Sequence, residues 1–174
     1  MGADLYKIMK SEQDLSDEHY KFIFYQICRA VLFLHSANIT HRDIKPSNVL
    51  INEDCIIKLC DFGLSRNMRD QEQLSLTEYV VTRYYRAPEV MLCSHQYSKS
   101  IDIWSIGCTF AELLTKNYLF PGDNYLSQIK LIIDLLGSPS EEDIEFITNS
   151  NARNYVMNFK NIPKVKFVFF PKFT

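Results

Sequence analysis

His41-Arg42-Asp43-Ile44-Lys45-Pro46-Ser47-Asn48 places a carboxylate, an ammonium group two residues on and a carboxamide five residues on within one short stretch. A second acidic group follows in Asp61-Phe62-Gly63, after the apolar run 56–60. Phosphoryl transfer requires a group that orients an attacking hydroxyl and accepts its proton, a positive charge near the moving oxygens, and oxygen ligands for magnesium. Asp43, Lys45 and Asn48 fill those roles in order. Asp61 is the second candidate magnesium ligand, and Gly63 lets the backbone turn sharply beside it.

The flanking sequence predicts how such a loop is held. Upstream, Tyr20, Ile23, Ile27, Val31 and Leu34 recur every three or four residues behind Ser16, a helix-capping residue, and predict a long amphipathic helix over 16–36. Downstream, the apolar runs 49–51 and 56–60 flank Asn52-Glu53-Asp54 and predict a small hairpin. Residues 67–75 are polar and irregular, a loop pattern. A helix over 98–115 is apolar on so many sides that it should be central and buried. Another runs over 125–136 and stops at Gly137 and Pro139. A short one opens at the acidic residues 141–143, and none can be drawn beyond Asn161. There is no internal repeat.

A chain of 174 residues with 47% apolar composition suits one globular domain with a sizeable core. Nineteen basic and twenty-one acidic side chains leave a net charge of −2, which gives no broad positive field for nucleic acid or an anionic membrane. Its apolar runs fall far short of the roughly 18 residues of a membrane span, and no secretory leader pattern opens the sequence. The expectation is therefore a soluble, intracellular monomer. Five widely spaced cysteines (Cys28, Cys55, Cys60, Cys93, Cys108) read as reduced thiols. Cys55, Cys60 and Cys108 are expected to be small buried hydrophobes, His41 a packed histidine fixing the loop, and Trp104 a core anchor.

H-R-D-x-K-x-x-N, D-F-G and A-P-E (Ala87-Pro88-Glu89) stand in the order and approximate spacing of protein kinases. Thr77-Glu78-Tyr79, followed by Thr82-Arg83-Tyr84-Tyr85-Arg86, resembles the activation segment of MAP kinases of the extracellular-signal-regulated type. The resemblance implies a mainly α fold, the large (C-terminal) lobe of a protein kinase with a small β-hairpin at the cleft. Residues 1–167 would be a partial kinase domain and 168–174 a divergent apolar tail.

By that resemblance Asp43 is the catalytic base, Lys45 lies near the transferring phosphate, and Thr82 holds both in place. Asn48 and Asp61 would bind Mg2+. Asp4 would contact the ribose of ATP, Leu50 and Cys60 would floor the adenine pocket, and Ser47 would join the nucleotide-binding set. Asp102 would accept hydrogen bonds from the catalytic-loop backbone. Thr77 and Tyr79 match a doubly phosphorylated pair, with Arg42 and Arg66 receiving phospho-Thr77, and Arg83 and Arg86 receiving phospho-Tyr79. Ile8, Leu15, His19, Phe22 and Cys55 match an apolar docking groove with Glu53 and Asp54 as its acidic rim. Leu92, Tyr125 and Ile129 match a second, aromatic-binding pocket. Apolar residues at helical spacing are more often simply core, so these two assignments are weaker than the catalytic one.

The implied activity is transfer of the ATP γ-phosphate to Ser or Thr followed by Pro, in cytoplasm and nucleus. Partners would be an upstream dual-specificity MAP kinase kinase and substrates carrying docking motifs, with no nucleic acid or membrane. The sequence has no G-x-G and no V-A-I-K-like strand before Asp4. Residues 1–7 resemble the hinge and first large-lobe helix, so the expectation is a fragment, marginally stable, with Glu89 lacking the arginine that the family sets against it. The alternative is a non-catalytic docking module that competes for MAP-kinase partners.

Overall fold

The computed structural model describes residues 2–67, 83–92 and 98–166. Two helices form its frame. The first long one, Asp17–Ser36, is named α2 here, after a short α1 at Leu5–Lys10. Ser16 caps α2 by accepting from the His19 amide, and the His19 ring accepts the Ser16 amide in return at 3.0 Å. This reciprocal arrangement satisfies two amides that the first helical turn leaves without partners. Tyr20, Ile23, Ile27 and Val31 face inward, as their spacing predicts.

Ahead of the central helix, β2 (Ile39–Thr40), β3 (Val49–Ile51), β4 (Ile57–Leu59), β5 (Arg66–Asn67) and α3 (Pro88–Leu92) follow in order. The central helix, α4 (Ser100–Thr115), starts two residues later than the pattern suggests, because Ser98 and Lys99 form the preceding turn through their carbonyls. It buries Ile101, Ile106 and Leu113 together with the polar Asp102, Ser105, Thr109 and Glu112. Lys116 ends it in the left-handed conformation, φ 61°, and donates its amide to the Glu112 carbonyl.

The expected hairpin is β3 paired antiparallel with β4, shorter at both ends of its second strand than the apolar run 56–60. Before it lies a strand not foreseen, β1 (Ala3–Asp4), which completes a sheet of order β1-β3-β4 and sets Asp4 opposite Leu50. A second unforeseen pairing joins β2 to β5, with Thr40 opposite Arg66. Asn67, assigned to the polar loop by its sequence, therefore belongs to a strand.

Two cores result. One gathers Leu5, Ile23, Ile27, Val31, Ile44 and Val49 around the hairpin and α2. The other gathers Tyr85, Cys108, Phe120, Ile129, Ile132 and their neighbours around α5 (Tyr125–Leu136). Asn124 and Ser127 cap α5 reciprocally, and Gly137 closes it at φ 88°, donating to the Ile133 carbonyl. A Cβ on Gly137 would lie 2.8 Å from the Lys164 amide nitrogen, so the returning chain needs the glycine. The expected helix at 141–143 is one 3-10 turn, Glu142–Ile144, and α6 (Ser150–Met157), capped by Asn149, follows it. Cys108 is buried, but Cys55 and Cys60 are only half-buried, because both stand on the rims of the hairpin. Trp104 is half-buried and stacks on Phe120, ring centroids 5.8 Å apart. No helix among the described residues is long and apolar enough to cross a membrane.

Candidate active site

The loop 41–48 leaves β2 and enters β3, and a single carboxylate on α4 fixes its start. Asp102, fully buried, accepts the His41 amide at 2.9 Å and the Arg42 amide at 2.8 Å, while the His35 ring donates to it at 2.8 Å. Charge-assisted bonds of this kind are stronger than neutral ones. Arg42 takes a left-handed backbone, φ 71°, that turns the chain toward Asp43. His41 is fully buried, as expected: its Nδ1 accepts the Asp43 amide, its Nε2 donates to the Cys60 carbonyl at 3.1 Å, and its ring lies against Phe62. Ile44 plugs into the first core and anchors the middle of the loop.

Asp43, Lys45 and Asn48 converge. Lys45 Nζ lies 2.9 Å from Asp43 Oδ2, and Asn48 Nδ2 donates to that oxygen and to the Asp43 carbonyl, each at 2.8 Å. No bond from a described residue falls on Asp43 Oδ1. With its Nδ2 turned to Asp43, Asn48 keeps its side-chain oxygen for another partner. Cys60 sits beside it, donating its amide to the Asn48 carbonyl at 3.0 Å. Burial raises the Cys60 thiol pKa, and the Asp61 and Asp4 carboxylates push it the same way. Asp61 is exposed, left-handed at φ 62°, and among the described residues accepts a long 3.4 Å bond from the Gly63 amide.

Asp4 and Leu50 meet across the β1–β3 register. Asp4 also caps α1, accepting the Lys7 amide at 2.9 Å, with Lys7 Nζ at 3.2 Å. Burial pushes its carboxyl up, but those bonds and the lysine charge outweigh burial, and the pKa falls below the usual value. Ser47 lies exposed in the 3-10 turn Pro46–Asn48.

Arg66 stands across the β2–β5 ribbon from Thr40, which precedes Arg42 by two residues. Arg83 and Arg86 both turn to α5: Arg86 donates to the Tyr125 hydroxyl at 2.8 Å, while Arg83 lies over the Tyr125 ring and donates to the Asp123 carbonyl. Thr77, Tyr79 and Thr82 lie outside the described residues.

Of the groove residues, Leu15 is buried in the first core with Ile8 and Cys55 packed against it. Phe22, Glu53 and Asp54 are exposed, and the His19 ring is engaged in the α2 cap. Leu92 and Ile129 line one cavity of about 330 Å3, whereas Tyr125 is not among its lining residues.

Sequence reading missed a buried pair. Tyr85 donates its hydroxyl to Glu112, which is 1% exposed, and Ser105 donates to the Tyr85 carbonyl at 2.8 Å. Burial raises the Glu112 pKa against the opposing pull of Tyr85 and Lys10. Burial, with the Glu112 charge, lifts the Cys108 thiol to about 12. The available signal was a glutamate within the otherwise uncharged helix run 108–114.

The family model described as protein kinase domain matches residues 1–160. Extracellular signal-regulated kinase 1 of Dictyostelium discoideum is 54% identical over 173 residues, covering 99% of this chain and 33% of the relative. A mitogen-activated protein kinase homolog of Nicotiana tabacum is 53% identical over 96% of this chain and 45% of its own length. Mitogen-activated protein kinase 13 of Arabidopsis thaliana is 49% identical over 96% of this chain and 46% of its own length. The chain thus spans from a third to just under half of these relatives.

Proposed function

The chain belongs to the protein kinase family and, by its relatives, to the mitogen-activated branch, and from that premise we propose that it carries the large-lobe half of a Ser/Thr kinase site acting on Ser/Thr-Pro sequences. The observation that carries this reading is the convergence of Lys45 and Asn48 on one oxygen of Asp43.

That geometry divides the labour at Asp43. Oδ2 is held by two donors, and Oδ1 is turned over to the substrate hydroxyl, whose proton it accepts as the oxygen attacks. Lys45, tethered to the same carboxylate, brings its positive charge to the phosphoryl oxygens in flight. Asp4 and Leu50, neighbours across the sheet, with Cys60 at its edge, supply the polar and apolar walls for ATP.

The donor set fits magnesium. Asn48 offers an amide oxygen and Asp61 a carboxylate, and magnesium at such sites takes only one or two protein carboxylates, completing its shell with phosphate and water. Bound there, the ion would neutralise charge on the phosphates.

Phosphorylation of Thr77 and Tyr79 by an upstream dual-specificity kinase would add two anions to the segment. Arg42 and Arg66 would gather the first, and Arg83 and Arg86 the second. Cytoplasm and nucleus are the compartments this signalling role requires.

The test is a chimera in which residues 2–166 replace the matching span of the Dictyostelium relative. After activation it is expected to phosphorylate a Ser-Pro peptide, with Asp43→Asn lowering turnover by roughly 10²–10⁴-fold. A chimera that folds and binds Mg-ATP but transfers no phosphate overturns the proposal.

A further inference from the structure

Two arginines come to one tyrosine at the start of α5. Arg83 and Arg86 flank the 3-10 turn Arg83–Tyr85, where the Arg86 amide donates to the Arg83 carbonyl at 3.0 Å. In a turn of this kind, side chains three residues apart lie on the same side. Arg86 donates Nη1 to the Tyr125 hydroxyl at 2.8 Å. The Arg83 guanidinium lies 5.7 Å from the centre of the same ring and donates to the Asp123 carbonyl. Among the described residues, no salt bridge joins either guanidinium to a carboxylate.

Cations held side by side repel each other, and the N-terminus of α5 adds further positive potential. Tyr125 offsets this without neutralising it, because its π face attracts one guanidinium and its hydroxyl oxygen accepts from the other. Each guanidinium carries five N–H donors, and the hydrogen bonds above use one apiece. The remaining donors and both charges suit a phosphate, which arginine binds in bidentate fashion.

Tyr125 itself is firmly set. It is the first residue of α5, directly after the capping Asn124, and the Tyr155 hydroxyl donates to the carbonyl of the next residue, Leu126, at 2.9 Å. Its sequence match was to an aromatic-binding pocket with Leu92 and Ile129, yet those two line a cavity to which Tyr125 does not contribute. The side chain is turned to the arginines instead.

We propose that Tyr125 is a positioning residue: through its ring and hydroxyl it holds Arg83 and Arg86 side by side, so that a tyrosine phosphate meets two ordered guanidinium forks. The proposal rests on the reading of these arginines as phosphate receivers. Its physical content is preorganisation. Arginine side chains are rich in rotamers, and ordering both beforehand removes that entropy cost from binding. Tyr125 holds the arginines, and the arginines hold the phosphate.

Phenyl phosphate titrated into the unphosphorylated full chain, followed by the arginine Nε–Hε signals in 15N NMR, tests this. Tyr125→Phe keeps the ring beside Arg83 and removes the acceptor of Arg86, so the half-saturating concentration should rise roughly tenfold. Tyr125→Leu removes the π face as well and should raise it about a further 2–5-fold. Without ligand, rotation about the Arg86 Nε–Cζ bond should quicken in Tyr125→Phe, a change that a merely structural tyrosine would not produce. Unmoved Ile129 and Ile133 methyl signals show that α5 is intact, and if Tyr125→Leu unfolds, the Phe variant decides alone. Arg83→Ala and Arg86→Ala tell two failures apart. If both bind phenyl phosphate as wild type does, the phosphate-receiving reading falls and this inference with it. If both lose binding while Tyr125→Phe titrates like wild type, the receivers stand and the role of Tyr125 is overturned.

Discussion

The two halves of this molecule are held by different means. The half that contains loop 41–48 relies on polar contacts made across large sequence distances: Asp102 binds two loop amides and His35, and Gln26 on α2 bonds both the Cys55 carbonyl and the Ile57 amide. The half built on α5 and α6 relies more on local devices, with caps three residues long, a glycine stop and apolar contact, beside a few longer ties such as Tyr155 to the Leu126 carbonyl. Long-range polar bonds fix direction as well as distance, which a carboxylate that must face a hydroxyl needs. Apolar packing tolerates wider adjustment, so the half remote from Asp43 can accommodate a cavity.

Removing the central bond should break this contrast hardest. Asp102→Ala leaves the His41 and Arg42 amides and the His35 ring without their shared acceptor in a fully buried position. The expected loss is about 3–5 kcal/mol in urea unfolding, since each orphaned donor costs roughly 1–3 kcal/mol. Retention of wild-type stability would mean that the loop is held from elsewhere.

Gly137→Ala probes the other half. At φ 88°, with a Cβ pressed against the Lys164 backbone, it should cost about 2 kcal/mol. Hydrogen exchange should quicken at Ser138, Ile162 and Val165 while the His41 and Arg42 amides keep their protection. Equal loss in both regions would show that the halves unfold as one.

Glu112→Gln has the smallest effect and the opposite sign. Burial sets the folded pKa of Glu112 above its ordinary 4.5, so the side chain favours the native state most when protonated. That contribution is complete below pH 4.5 and is lost as pH rises through the folded pKa. Gln keeps an acceptor for Tyr85 without titrating, so the variant should gain on the order of 1 kcal/mol at neutral pH. Its stability should also vary less with pH above 4.5. A variant less stable than wild type at pH 7 would show that the ionised carboxylate strengthens the Tyr85 bond beyond its burial cost.

The sequence made some of this plain and concealed the rest for physical reasons. Periodicity located α2 and α5 because each has one apolar face and a recognisable cap or stop, Ser16 in one and Gly137 in the other. The cluster of Asp43, Lys45 and Asn48 was legible because all three share a stretch of six residues. Strands of two residues, β1, β2 and β5, are too short for any alternation to register, so the ribbon joining Thr40 to Arg66 was hidden. α6 was hidden too, since its run Ser-Asn-Ala-Arg-Asn is polar and only Val156 is buried. The Tyr85–Glu112 bond joins positions 27 residues apart, and pattern reading has no access to pairs of that kind. Each half has both kinds: α2 and the Asp43 cluster of the first and α5 of the second were readable, whereas the two-residue strands of the first and α6 and the Tyr85 bond of the second were not.

The span from His41 to Asp102 carries a consequence for the order of events during synthesis. Asp102 lies 61 residues after His41 and 60 after Arg42. A ribosome adding roughly 5–20 residues per second takes about 3–12 seconds to travel that far. Throughout that interval the loop amides have been made and their acceptor has not. The part of the nascent chain that carries Asp43 therefore waits on α4 for its final shape, and the reactive geometry is among the later features that translation completes.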